Sequence, residues 1–166
     1  MTVMKWEKDL TSWLKDSRRV LVMGIGNPLG GDDNLGNSMI EAIKRLPPIK
    51  GVTLLRCDTI PENFTGRIRK LKPDHVIIID ASEINGRWGE AALIPPSEIK
   101  GIPISNHSLP INLLSEYVQE TIGTKVMMLA VQPKEMSYSD RLSKEIESSI
   151  TVISKKLFEI LSARRS

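Results

Sequence analysis

Asp33, Asp80 and His107 are the residues of this 166-residue chain whose types and settings suit cation binding or the activation of water. Asp33 follows Asp32 at the end of the stretch 20–36, VLVMGIGNPLGGDDNLG, in which an apolar run passes through a glycine-rich turn into two adjacent carboxylates. A glycine-rich turn between strand and helix often cradles phosphate. Here the spacing is G-x-G-x-x-x-G, no Lys-Ser/Thr follows, and two acids would repel a phosphate and attract a cation. An aspartate at such a place can also simply cap a helix. With two in a row, one can cap while the other does chemistry. Asp80 closes the apolar run Val76-Ile77-Ile78-Ile79, where a half-buried carboxylate is expensive unless paired or bound to a cation; the alternative is an acid satisfied by the amides of Ala81–Glu83. His107 stands in a long connection just before a helix, and taken alone it reads more readily as a structural or exposed histidine. The other histidine, His75, begins a strand and so falls at the far edge of the sheet.

The elements that position these residues are legible from patterning. Residues 20–25, 51–57, 74–80 and 125–131 are apolar, β-branched runs of strand length, and 90–94 is a short fifth. Helical spacing continues from the acidic turn through Met39, Ala42, Ile43 and Leu46. A helix is predicted over 61–71, with Thr59 and Glu62 at capping-box spacing and Pro61 in the first turn. A further helix over 109–121 carries Leu109, Leu113, Leu114, Tyr117 and Val118 as its apolar side. The last, over 140–161, turns Leu142, Ile146, Ile150, Ile153, Leu157 and Ile160 inward. Residues 97–107 read as a long irregular connection of the kind that carries function. At the start, residues 2–17 form an accessory amphipathic helix with Trp6, Leu10, Trp13 and Leu14 on one face. Strands alternating with helices imply a mostly parallel sheet between helical layers. Strands two and three flank strand one, and ligands in such sheets sit beyond the carboxyl ends of the strands at the switch point. That places Asp33 beside Asp80.

Length and composition bound the rest. The chain reads as one domain, 1–166, with the core over 20–161. It is 40% apolar and 26% charged with net charge +3, and its basic residues are scattered rather than striped, which argues against a nucleic-acid partner. No apolar run reaches membrane-span length, and Lys5, Glu7, Lys8 and Asp9 are unlike a signal peptide. The single cysteine, Cys57, excludes an internal disulfide and suits a reducing cytoplasm. Two carboxylates and an imidazole at one sheet edge suit a borderline divalent metal such as nickel or zinc, with a coordination position left open. There is no H-E-x-x-H motif, cysteine ligand pair or G-x-S-x-G elbow.

The blocks GIGNPLGGDDNLG, IIIDAS, SNHSLPINLL and LAVQP, in that order and spacing, resemble the [NiFe]-hydrogenase maturation endopeptidases, above all the hydrogenase-3 (formate hydrogenlyase) branch, from about residue 20 to 161. The helix over 2–17 and Asn34, where glycine is common, depart from the family pattern. The resemblance implies a three-layer, phosphorylase/hydrolase-like α/β/α sandwich with a twisted, mostly parallel five-stranded sheet. It implies an aspartic-type endopeptidase that removes a C-terminal extension from the hydrogenase large-subunit precursor after nickel insertion. It makes Asp33, Asp80 and His107 the residues that contact nickel, carried by the substrate rather than held as a resident cofactor, with Asp33 or Asp80 activating water. Glu62 and Gln132 also resemble family positions, though helix capping and loop bonding explain them as well. The peptidyl-tRNA hydrolases share an opening like GIGNP, but DDNLG follows here where they need a histidine-bearing block. A stand-alone metallohydrolase and a non-proteolytic nickel-sensing chaperone of the precursor remain alternatives.

Overall fold

The computed structural model describes residues 2–99 and 111–164. Five strands form one sheet in the order β2-β1-β3-β5-β4. They are β1 (Val20–Gly24), β2 (Val52–Arg56), β3 (His75–Ala81), β4 (Ala91–Ile94) and β5 (Lys125–Val131). All pair in parallel except β4, which runs antiparallel to β5 at the edge. The α/β sandwich expected from the alternation is present, and the switch point lies between β1 and β3 as anticipated.

Burial explains why these runs are strands. Every residue of β1 and β3 is buried, so both faces are covered and continuous apolar runs replace the alternation of a one-sided sheet. Along β3, Ile77 and Ile79 join one core, while Val76 and Ile78 join the other. The first core is closed by α1 (Lys5–Trp13), α2 (Leu35–Lys44) and α6 (Lys144–Ser162); the second by α3 (Thr65–Leu71) and α5 (Ile111–Ile122). A short helix, α4 (Pro96–Ile99), follows β4. Among the described residues no helix is long and apolar enough to cross a membrane.

The accessory helix is shorter than the predicted 2–17, but it is part of the core. Trp6, Leu10 and Leu14 are buried against α6, and Glu7 accepts Lys156 Nζ at 3.2 Å. Each such apolar side chain contributes about 2 kcal/mol by burial.

Three local expectations need correction. The predicted helix over 61–71 opens with a 3-10 turn, Pro61–Phe64, and α3 begins only at Thr65; Ile60 rather than Thr59 precedes the turn, without a side-chain cap. Helix α5 buries Ile111, Leu114, Ser115 and Val118, whereas Leu113 and Tyr117 face outward. Both sets have helical spacing, and the stripe containing Ser115 wins because Ile111 and Val118 extend it over two turns. Leu109 lies outside the described residues. The last helix starts at Lys144 rather than Asp140, because Ser139 and Ser143 are drawn into bonds with the acidic turn.

Candidate active site

The acidic turn is held from three directions. Gly36, the second residue of α2, packs directly on the strand ends: a Cβ there would collide with the carbonyl oxygens of Ile25 and Ile79. Its absence lets α2 begin against the carboxyl ends of β1 and β3, where Ile25 N donates to Ile79 O at 2.9 Å. Asn37 ties the turn to the end of β2, donating through Nδ2 to Gly26 O and Asp58 Oδ1 and accepting from Asp58 N. The third support is the loop between β5 and α6. Gly31, at φ +60°, donates its amide to Ser139 O, and Asp32 N donates to Glu135 O.

The two aspartates have divided their work. Asp32 is fully buried and accepts four hydrogen bonds, from Lys134 N, Glu135 N, Ser143 N and Ser143 Oγ, at 2.7–3.0 Å. Ser143 precedes the first turn of α6, so Asp32 also places a negative charge at a helix amino end. Asp33, in the 3-10 turn Gly31–Asn34, is 7% exposed, and its Oδ1 is buried with no hydrogen-bond partner among the described residues. A buried carboxylate oxygen without a donor is strongly unfavourable unless something from outside completes it.

Asp80 is the penultimate residue of β3 and fully buried, and Ala81 N donates to its Oδ1 at 2.9 Å. Gly24 of β1 pairs in register with Ile79, so Asp80 stands one residue beyond the end of β1, where the 3-10 turn packs on β3. The elements that carry Asp33 and Asp80 therefore adjoin at the switch point. His107 lies outside the described residues, and among those residues no three His, Cys, Asp or Glu side chains are grouped as a cation site.

The remaining candidates sort by their partners. Gln132 is a loop brace: its Oε1 accepts from Ile84 N at 2.8 Å and Gly86 N at 3.3 Å, and its Nε2 donates to Glu83 at 2.9 Å. Glu62 lies half-buried in the 3-10 turn after β2. His75, at the amino end of β3, is buried beside Asp74 at 2.7 Å and against the Trp13 ring, far along the strand from Asp80. Burial, with Asp58 adding to it, pushes the Cys57 thiol up to about 12, so it is no nucleophile. Sequence reasoning missed Ser82, two residues past Asp80, whose buried Oγ has no partner among the described residues. Nothing but its place in IIIDAS could have signalled it.

The same five-stranded α/β architecture is found in hydrogenase maturation proteases of known structure. The HycI hydrogenase maturation protease from Thermococcus kodakarensis KOD1 matches with TM-score 0.84 at 29% identity, over 92% of this chain and 98% of that one. The HycI endopeptidase from Escherichia coli matches with TM-score 0.75 at 25% identity, over 85% and 90% of the two chains. A putative hydrogenase maturation protease of Methanocaldococcus jannaschii is 30% identical over 155 residues, 89% of this chain and 91% of its own. The hydrogenase 3 maturation protease of Escherichia coli K12 is 27% identical over 138 residues, 82% and 87% of the two chains. The sequence model of the family described as HycI, hydrogenase maturation protease, matches residues 38–160, just after the acidic turn. The chain belongs to the HycI hydrogenase maturation protease family. It is thereby a peptidase of hydrogenase maturation, with a hydrogenase precursor as substrate.

Proposed function

We propose that this protein removes the C-terminal extension of a [NiFe]-hydrogenase large-subunit precursor once nickel has been inserted. The observation that carries this reading is the buried Oδ1 of Asp33, without a partner among the described residues, on a turn that packs on β3 near its Asp80 end. Two acids at one end of the sheet, with the open oxygen on Asp33, suit a cation that arrives with the substrate. His107 is the third donor of the proposed set. Nickel held by thiolates in the precursor then completes its shell on these side chains, and the metal becomes the point that fixes the scissile bond in the site. Fixing of that kind supplies a large share of a rate enhancement.

The hydrolytic step is of the aspartic type. One carboxylate, Asp33 or Asp80, takes a proton from water as the water oxygen bonds to the scissile carbonyl carbon. The proton passes to the leaving nitrogen as the C–N bond breaks, giving the shortened precursor and a free peptide. Ser82 Oγ is available to hydrogen-bond the substrate backbone beside Asp80. The reducing cytoplasm is the fitting compartment, in keeping with Cys57 as a free buried thiol.

The test is mass spectrometry of the precursor, with and without nickel, after incubation with this protein or its Asp33→Asn variant. Loss of a C-terminal peptide only from the nickel-loaded form, and only with the unmodified protein, is the expected result. Nickel-dependent co-purification without a cut would make the protein a chaperone. Cleavage regardless of nickel would refute the nickel-sensing role of Asp33, Asp80 and His107.

A further inference from the structure

Among the described residues, large apolar side chains are exposed on the loops at the carboxyl edge of the sheet and not on those between helix and strand at the amino edge. Leu29, Ile60, Trp88, Met136 and Tyr138 stand exposed on the loops that follow β1, β2, β3 and β5. Among the described residues none stands exposed on the loops of the opposite edge, 14–19, 45–51, 72–74 and 123–124. Three of the five belong to one construction. Leu29 is 51% exposed in the acidic turn itself, and Tyr138, at 86%, and Met136, at 44%, lie on the β5–α6 loop. The two loops are joined: Ser139 N donates to Leu29 O and Gly31 N to Ser139 O, each at 3.0 Å, and Asp32 clamps the β5–α6 loop through Lys134, Glu135 and Ser143.

We propose that the ridge of Leu29, Met136 and Tyr138 is the docking platform for the precursor polypeptide, taking a large apolar side chain close to the bond that is cut. The proposal rests on the reading of Asp33 as part of a peptidase site. The ridge shares its backbone with that site. Leu29 precedes Asp33 by four residues, so their Cα atoms lie within about 14 Å. A strand rises about 3.3 Å per residue, so a substrate segment with its scissile bond at Asp33 reaches the ridge within about four residues. The platform is ordered before anything lands on it, because its loops are hydrogen-bonded to each other and locked by a buried carboxylate. Little ordering is then lost on binding. Exposed tyrosine and methionine are the side chains that gain most from being covered by a partner. A second copy of this chain is a poor occupant, since covering Leu29 would also cover the Asp33 turn and close the site to substrate.

The experiment measures binding and processing of the nickel-loaded hydrogenase large-subunit precursor by the full-length protein and its L29S/Y138S variant. Val152→Ser, an exposed apolar position on α6, serves as the control. Truncating two platform side chains should weaken binding about tenfold or more. KM should rise in parallel and kcat stay within about twofold, with the control unchanged. The conservative L29M/Y138F variant should restore binding. Unchanged binding and KM, or a fall in kcat at unchanged KM, would overturn the proposal, as would a shift in oligomeric state with precursor binding intact. No binding of the precursor by the unmodified protein would also sink it. Binding without any cut would instead refute the peptidase reading, and the platform would stand or fall on the affinity difference alone.

Discussion

The two edges of the sheet each hold a buried or half-buried aspartate next to β3, and they treat it in opposite ways. At the amino edge, Asp74 accepts from the backbone amides of Arg18 and Arg19 at 2.8–3.2 Å and pairs with His75 Nδ1 at 2.7 Å. Burial pushes its carboxyl up, but the bonds from Arg19, His75 and Arg18 outweigh it and hold the carboxyl below its ordinary value of 3.8. At the carboxyl edge, Asp33 is more deeply buried and yet keeps one oxygen without a partner among the described residues. The first acid is used to close the fold around α1, and the second is left open at the fold's expense. The same contrast recurs within one turn, where Asp32 is saturated and its neighbour is not. Residue type and burial therefore do not separate a structural acid from a functional one here; the partner count does.

The largest effect should come from the open acid. Asp33→Asn removes the charge and the basic oxygen, and processing should fall about 10²-fold or more, the scale of general acid–base catalysis. The melting temperature should stay the same or rise, because an unpartnered buried charge is withdrawn. A thermal melt that falls by many degrees would break the contrast. Asp32→Ala should do the reverse of that on stability, costing about 3–5 kcal/mol by stranding buried donors in the β5–α6 loop; a urea titration reads it. Gly36→Ala drives a methyl into the Ile25 and Ile79 carbonyls and should cost about 1–3 kcal/mol with a loss of activity, read by the same titration and by the processing assay. The smallest effect sharpens the amino edge. A carboxyl whose native pKa lies below its unfolded one stabilises the fold above the unfolded value, and the contribution fades as pH falls through about 4 and below. Asp74→Asn should therefore destabilise near neutral pH, and the difference from the unmodified protein should shrink on acidification. Urea titrations at pH 7 and pH 3 measure it.

Much of this arrangement was legible in the residues. The doubly apolar runs of β1, β3 and β5 announced a covered, parallel sheet, and the strand order set the switch point between β1 and β3. Which acid of the pair caps and which stays open was not legible. The partners of Asp32 lie 102–111 residues further along the chain, and no local spacing encodes them. Helix α5 misled because Leu113 and Tyr117 have the right spacing for a buried face, and only its packing on the sheet chose the Ser115 stripe. Ser82 and the apolar ridge were silent for another reason: hydroxyls and large side chains in loops follow no period, so their burial or exposure is a property of the assembled edge alone.

The grip of Asp32 on the far end of the chain also sets an order of events. The acidic turn leaves the ribosome early, but the amides and hydroxyl that lock it belong to Lys134, Glu135 and Ser143. Contacts of such sequence separation form late, after the intervening loop entropy has been met. The acidic turn therefore stays unlocked until the chain as far as Ser143 has been made. In refolding, the amide of Asp32, bonded to Glu135 O, should gain exchange protection no earlier than the α6 amides.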